Sequence, residues 1–305
     1  MCPRRMNGGP MMPWVKLEEI TVEQFKEWFP ISFVKQLNRL FMCGNLGDPI
    51  IAKDTVPIYD YLRTTNPDIQ LQMHTNGSAR DKQFWEDLAK LKVTVVFGID
   101  GLEDTHSRYR IGTDFHKIIE NAKTFIAAGG DARWDMLVFE HNKHQTQECE
   151  ELAHKLGFKH FQKKNSSRFK DGKFHVIDDE GKTIDILYPT ERSKSFVEKV
   201  KDAQSDIKPI ITCKAKTYSE IYVAANGNVS PCCWLDLDWV VPSSYARIDY
   251  MEQIKVFPNL HKNSLEDMFT STYFKDIENT WDNSCLTVCK RQCGKFDRLG
   301  AQFEN

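Results

Sequence analysis

Long hydrophobic runs are missing from this sequence. No stretch approaches the roughly 20 apolar residues of a bilayer-spanning helix, which argues against an integral membrane protein. The amino terminus, Met1-Cys-Pro-Arg-Arg5, carries charge with no apolar segment behind it and so lacks the form of a secretory signal. Net charge is nearly absent too. The 41 Lys and Arg against 43 Asp and Glu leave −2, which is no electrostatic footprint for nucleic acid or for an anionic membrane. Internal repeats and low-complexity tracts are also lacking. Together these absences predict a cytoplasmic protein with neither nucleic acid nor membrane as partner. In a reducing compartment its nine cysteines, an odd number, are expected to be metal ligands or inert core thiols rather than disulfides.

What is present is ordinary globular material: 305 residues, 41% hydrophobic and 28% charged, long enough for a sizeable core and two domains. Short apolar runs alternate with amphipathic segments from Leu40 onward. Strands are expected over Leu40–Cys43, Ile69–His74, Val93–Ile99 and Trp134–Phe139, with a fifth entered through Gly157–Phe161. Helices are expected over Thr55–Thr64, Asp81–Leu91, Phe115–Ala128 and Gln145–Leu156, the third stopped by Gly129-Gly130. This rhythm predicts parallel strands with helical crossovers, an α/β layer or barrel whose ligands sit at the carboxyl ends of the strands. The loops there carry small and polar residues: Gly44-Asn-Leu-Gly-Asp-Pro49, Thr75-Asn-Gly77, Asp100-Gly101 and His141-Asn142. After Lys164 the rhythm breaks. Lys173–Leu187 reads as a hairpin turning at Asp179–Lys182, and Ser193–Asp206 as helix and linker.

The last third holds six of the nine cysteines. Glu220–Ser230 is a hairpin signature, with Asn226-Gly227 supplying positive φ angles, and it should bring Cys213 and Cys232 together. Ser264 is placed to cap a helix, and a further helix over Tyr273–Trp281 delivers the chain to Cys285, Cys289 and Cys293. On a helix those three would share one face. Soft thiolates in this number suit an iron–sulfur cluster or zinc. Cys232 is preferred to its neighbour Cys233, since adjacent residues do not readily bind one site. Elsewhere the plain readings are preferred. Cys43 is a core thiol, Cys149 has no cationic activator, and Trp134 is a packing residue. His141 with His144, the group His106, Arg108 and Arg110, and the basic stretch Lys163, Lys164, Arg168, Lys170 and Lys173 all read as solvated loops, though the second group could contact an anion.

Several of these motifs resemble radical S-adenosylmethionine (SAM) enzymes, in order and over nearly the whole chain. Cys213, thirteen residues, Gly227, four residues, Cys232 and a later cysteine group look like the SPASM or twitch extension, which holds an auxiliary [4Fe-4S] cluster. Gly44-Asn-Leu-Gly-Asp-Pro49 resembles the family's "GGEP" loop, with Asp48 for the usual Glu. His74-Thr-Asn-Gly77 is similar to "NTNG", Phe97-Gly-Ile-Asp-Gly101 to "SIDG" with Gly98 for Ser, and Tyr109-Arg-Ile-Gly112 to "YRxG". The resemblance implies an α/β fold: an incomplete (β/α)6 partial TIM barrel followed by a small Cys-rich α+β SPASM-like domain. Its divisions would be 1–165 for the core, 166–209 for hairpin and linker, and 210–305 for the cluster-binding domain.

The resemblance also implies a chemistry. Family members bind a catalytic [4Fe-4S] cluster through C-x3-C-x2-C, cleave S-adenosyl-L-methionine reductively to a 5′-deoxyadenosyl radical, and abstract a substrate hydrogen. Met1-Cys2-Pro3 looks like the end of that motif, so the first strand and the first two cluster cysteines would lie upstream of Met1. The other expectation is a protein that has lost the chemistry. Implied cofactor contacts are Gly44, Gly47 and Asp48, with Asn76 and Asp100 at neighbouring strand ends. Implied metal ligands are Cys2, Cys213, Cys232, Cys285, Cys289 and Cys293. The partners would be a peptide or small-molecule substrate and an electron donor such as flavodoxin or ferredoxin. Two rivals stay open: a non-catalytic iron–sulfur electron-transfer or scaffold protein, and a zinc-stabilised binding module.

Overall fold

The computed structural model describes residues 3–166, 168–169, 172–193, 209–240 and 258–295. They belong to two compact units, Met1–Val197 and Glu198–Asn305. Cys2, Lys170 and most of the Ser193–Asp206 segment lie outside the described residues.

The first unit opens with two short helices, α1 (Val22–Trp28) and α2 (Ile31–Val34). A capping box starts α1, in which Thr21 and Gln24 satisfy each other's backbone amides. Five parallel strands then pair in chain order: β1 (Arg39–Met42), β2 (Gln70–Thr75), β3 (Val93–Gly98), β4 (Asp131–Leu137) and β5 (His160–Lys164). Between them run α3 (Thr55–Thr65), α4 (Lys82–Lys90), α5 (Glu103–Tyr109), α6 (Phe115–Ala127) and α7 (Thr146–Leu156). Asp81 and Asp114 cap α4 and α6 by accepting the amides of Phe84 and Lys117.

The α/β expectation holds, and most elements lie within a residue or two of where periodicity puts them. Strand β4 differs. It begins at Asp131 rather than Trp134, because its charged residues alternate onto the face away from the helices and conceal its start. The two faces of the sheet differ sharply. Leu71, Met73, Val93, Val95, Phe97, Ala132, Trp134 and Met136 are buried, in alternation with half-buried Gln72, His74, Thr94, Gly98, Arg133 and Asp135. The apolar set packs with Trp85, Leu88, Ile118 and Phe125 of the helices; Trp85 stacks on Phe97 at 5.4 Å. Each buried Val, Leu, Ile, Phe or Met of this set contributes about 1.5–3 kcal/mol. Lys163 and Lys164 lie on β5 rather than in a loop. Cys43 is half-buried just beyond β1, with its thiol 3.6 Å from Asn45 Oδ1.

The hairpin β6 (Phe174–Ile177) and β7 (Thr183–Leu187) forms with its expected turn. Val176 and Leu187 bury against Phe139 and Phe169, so the hairpin has its own core with the segment after β4.

In the second unit β8 (Ile210–Ile211) pairs antiparallel with β11 (Gly294–Lys295), although more than eighty residues separate them. The elements between are α8 (Lys214–Tyr218), the ribbon β9 (Tyr222–Val223) and β10 (Val229–Ser230), α9 (Cys233–Val240), α10 (Leu265–Thr270), α11 (Tyr273–Asn283) and α12 (Thr287–Cys293). Ser264 caps α10 through a capping box with Asp267. The β9–β10 connection is wider than a two-residue turn. Only Gly227 has positive φ, at 81°, and Asn259 braces the loop by donating to Asn226 O and Asn228 Oδ1. Leu235, Tyr273, Ile277, Leu286 and Val288 form the core, with Cys232 and Cys289 packed at its edge.

Candidate functional site

Chemistry-bearing residues gather in two places, one in each unit. The first is at the carboxyl ends of β1, β2 and β3. Gly44 takes φ 65°, and a side chain there would bring Cβ to 2.7 Å from Gly47 O, so the turn after β1 requires glycine. Gly47 itself is exposed and meets nothing. The turn presents Asp48, whose Oδ2 accepts the Asn76 amide at 2.7 Å and whose Oδ1 accepts the Ile50 amide at 3.2 Å. Burial raises the Asp48 pKa, opposed by the bonds from Asn76, Thr75 and Ile50 and by the charge of Arg110. Three donors occupy most of a carboxylate's four lone-pair sites. Asp48 therefore ties the β1 loop to the β2 loop and keeps one direction open. Asn76 is similarly engaged, since its Oδ1 accepts both the amide and the hydroxyl of Ser78 at 2.9 and 2.8 Å.

Asp100, expected at the cofactor, is fully buried and spent on the protein. Its Oδ2 accepts Arg110 Nε at 2.6 Å and its Oδ1 accepts the Leu137 amide at 2.6 Å. Its own amide donates to His106 Nδ1 at 3.1 Å, and its carbonyl accepts Asn142 Nδ2 at 3.1 Å. Nothing of Asp100 is left to reach a ligand, so its role is to position Arg110.

Arg110 is the residue that reading the loop as solvated undervalues. His106 is buried, whereas Arg108 is exposed on α5, where it makes a bidentate pair with Asp185 at 2.8 and 2.7 Å. Burial pushes His106 down to about 4, helped by the Arg110 charge, and its neutral ring bridges Asp100 N and Thr113 Oγ1. Arg110 lies against Gly98, where a Cβ would stand 2.5 Å from its Nη2. The glycine that replaces the frequent serine thus makes room for a guanidinium. Both Nη groups lack a hydrogen bond among the described residues, while the side chain keeps 29% of its exposure. The result is a rigid cationic fork, open on one side, beside Asp48 at the strand ends.

Nearby on the polar face of the sheet, Lys164 pairs with Asp135. Both act on His74, whose pKa falls chiefly through burial. His141 does not share a helical face with His144 in the way spacing suggested. It stacks on Phe139 at 5.4 Å before α7 begins, and burial holds it down to about 4.

The second place is the cysteine array. Cys213 is positioned by the β8–β11 pairing rather than by the ribbon: Thr212 donates to Cys293 O at 3.0 Å, which brings the two thiols close together. That contact holds Cys213 below the ordinary thiol range and pushes Cys293 up. One proton leaves this pair easily, and the second resists. Burial raises Cys232 to about 11 and Cys289 to about 12. Cys289 feels the charges of Cys285, Cys232 and Cys213, and Cys293 feels Cys213 and Cys232. Cys213 and Cys232 thus act on both Cys289 and Cys293, which makes these four thiols neighbours. Cys285 precedes α12, touches the set through Cys289, and has its thiol 3.7 Å from Leu286 O, so the three late cysteines do not share one helix face.

Such thiols resist ionisation alone and ionise when a cationic centre takes their protons' place. The donor set fits an iron–sulfur cluster, which takes one thiolate per iron. Among the described residues no three His, Cys, Asp or Glu side chains gather round a single ion position. Cys149 is buried and pushed up to about 12, an inert core thiol, and Trp134 packs in the core with its indole donating to Ile99 O at 2.8 Å. No described helix is long and apolar enough to cross a membrane.

Residues 213–294 match the SPASM family model, an iron–sulfur cluster-binding domain. No curated protein matches the sequence. Solved structures do match in fold. SuiB of Streptococcus suis bound to S-adenosylmethionine is 16% identical over 88% of this chain and 65% of its own, with a TM-score of 0.57. Native anSMEcpe with bound AdoMet is 16% identical over 93% of this chain and 83% of its own, at 0.56. SuiB bound to the precursor peptide SuiA is 15% identical over 96% and 64%, at 0.54. The chain thus spans just under two thirds of the SuiB chains it resembles, and at such identities the likeness establishes the fold.

Proposed function

From a radical SAM fold joined in one chain to a SPASM iron–sulfur cluster-binding domain, we propose a radical SAM enzyme that modifies a peptide or small-molecule substrate by hydrogen abstraction. The observation that carries this reading is the coincidence in one chain of the domain match over 213–294 and a fold likeness to structures bound to S-adenosylmethionine. When bound, the catalytic cluster would supply the electron that cleaves S-adenosylmethionine to methionine and a 5′-deoxyadenosyl radical. Cys2 would be one of its thiolates.

The chain's own residues take defined parts. Asp48 directs its remaining lone pair to the amino group of S-adenosylmethionine, and the Gly44 turn lets the backbone approach. The open fork of Arg110, held by Asp100 at 2.6 Å, suits the carboxylate of the same molecule. Asn76 acts through its backbone, holding Asp48 in place. Cys213, Cys232, Cys289 and Cys293 would complete the coordination of an auxiliary [4Fe-4S] cluster, with Cys285 in reserve. A peptide substrate is favoured by the SuiB structure bound to the precursor peptide SuiA. An acidic carrier such as flavodoxin or ferredoxin would deliver electrons in a cytoplasmic setting.

The test is anaerobic reconstitution, with iron and acid-labile sulfide assayed and 5′-deoxyadenosine measured under reducing conditions. Formation of 5′-deoxyadenosine is expected. A cluster without that product would favour the electron-transfer rival, and zinc without sulfide the binding module.

A further inference from the structure

Helix α11 (Tyr273–Asn283) is amphipathic. Tyr273, Ile277 and Thr280 are buried at the spacing of one face, and Trp281 continues it. The turn at Ser284–Leu286 then folds α12 back, so that Trp281 meets Cys289. The indole nitrogen of Trp281 is buried with no hydrogen-bond partner, and the Cys289 side chain is its neighbour. A buried N–H without an acceptor is uncommon and calls for a cause. The ring is held in place from outside. Lys216 Nζ lies 6.0 Å from its centroid and is itself tethered to Glu278 at 2.5 Å.

We propose that the Trp281 N–H donates a hydrogen bond to the auxiliary cluster, at the Cys289 sulfur or an adjoining sulfide, and thereby sets the cluster's reduction potential. This rests on the reading of the cysteine array as an iron–sulfur site. The logic is electrostatic. Reduction adds negative charge that spreads onto the sulfurs, and a fixed donor stabilises the reduced form more than the oxidised one. A buried donor in apolar surroundings acts strongly, because no water competes for the sulfur. Trp281 is thus a tuning residue, not a ligand.

The experiment compares wild type with Trp281→Phe, which removes the donor and keeps a ring, after anaerobic reconstitution. Iron and sulfide content are measured first, then the potential by EPR-monitored redox titration. At a fixed potential the reduced-to-oxidised ratio in the variant is expected to fall about tenfold, a shift of roughly 59 mV to more negative values for one electron. Wild type labelled with 15N-indole tryptophan should also show a nitrogen hyperfine coupling on the reduced cluster, lost in the variant. An unchanged potential at full cluster content overturns the proposal. So does the absence of any 15N coupling in wild type, a readout that stands even where the variant takes up no cluster. Wild type that holds no iron and sulfide defeats the cluster reading instead, so the two failures are distinguishable.

Discussion

Replacing Asp100 by Ala should destabilise the first unit by about 3 kcal/mol. Its carboxylate is fully buried and accepts two bonds of 2.6 Å, from Arg110 Nε and from the Leu137 amide. Hydrogen bonds to a charged group contribute about 1.5–3 kcal/mol each, and a stranded amide costs about 1–3 kcal/mol. Breaking a buried ion pair costs about 3–5 kcal/mol, but Arg110 keeps 29% exposure and regains water, which lowers that figure. Removing Asp100 also relieves its own burial penalty, visible in its raised pKa. The opposing terms leave about 3 kcal/mol for Ala. For Asn, which keeps an acceptor for Leu137 and loses the charge, they leave about 2 kcal/mol. Urea unfolding followed by tryptophan fluorescence reads the unit through Trp134, buried on β4. With m of about 1–3 kcal/mol/M, the midpoint for Ala should fall by roughly 1 M or more. A double-mutant cycle with Arg110→Met should give a coupling above about 1 kcal/mol. A midpoint within about 0.3 M of wild type, or fully additive variants, would refute the assignment of Asp100 as the hub of this site.

Three further outcomes follow from the same geometry. Burial holds His106 at about 4, below the usual 6.5, so the folded state favours its neutral form; stability should be lost as pH falls from about 6.5 to 4, by up to about 3 kcal/mol, and His106→Gln should flatten that slope in pH-dependent urea titrations. Asp236 has the opposite sign. Burial raises it to about 7 and its Oδ1 has no partner, so stability should fall as pH rises from about 4 to 7, and Asp236→Asn in the metal-free protein should melt higher than wild type at pH 8. Cys213→Ser and Cys289→Ser should each cut the iron and sulfide of the auxiliary cluster by more than half, whereas Cys149→Ser, a change to a buried thiol of the other unit, should leave both unchanged.

What the sequence determined by itself is local. Alternation and the cap at Ser264 placed strands and helices, because apolar periodicity and a capping side chain act within a few positions of chain. The loop motifs and the cysteine array were legible for the same reason: their spacing is short and their chemistry narrow. Tertiary structure decided what depends on distant partners. Arg110 reads as a loop charge until Asp100 and the gap at Gly98 are brought to it from neighbouring parts of the fold. Asp100 reads as a ligand until Arg110 and Leu137 consume its oxygens. Cys213 meets Cys293 only because two-residue strands pair across more than eighty residues, a closure no local pattern announces. Sequence named the chemical groups; packing selected which of their lone pairs, protons and faces remain free to act.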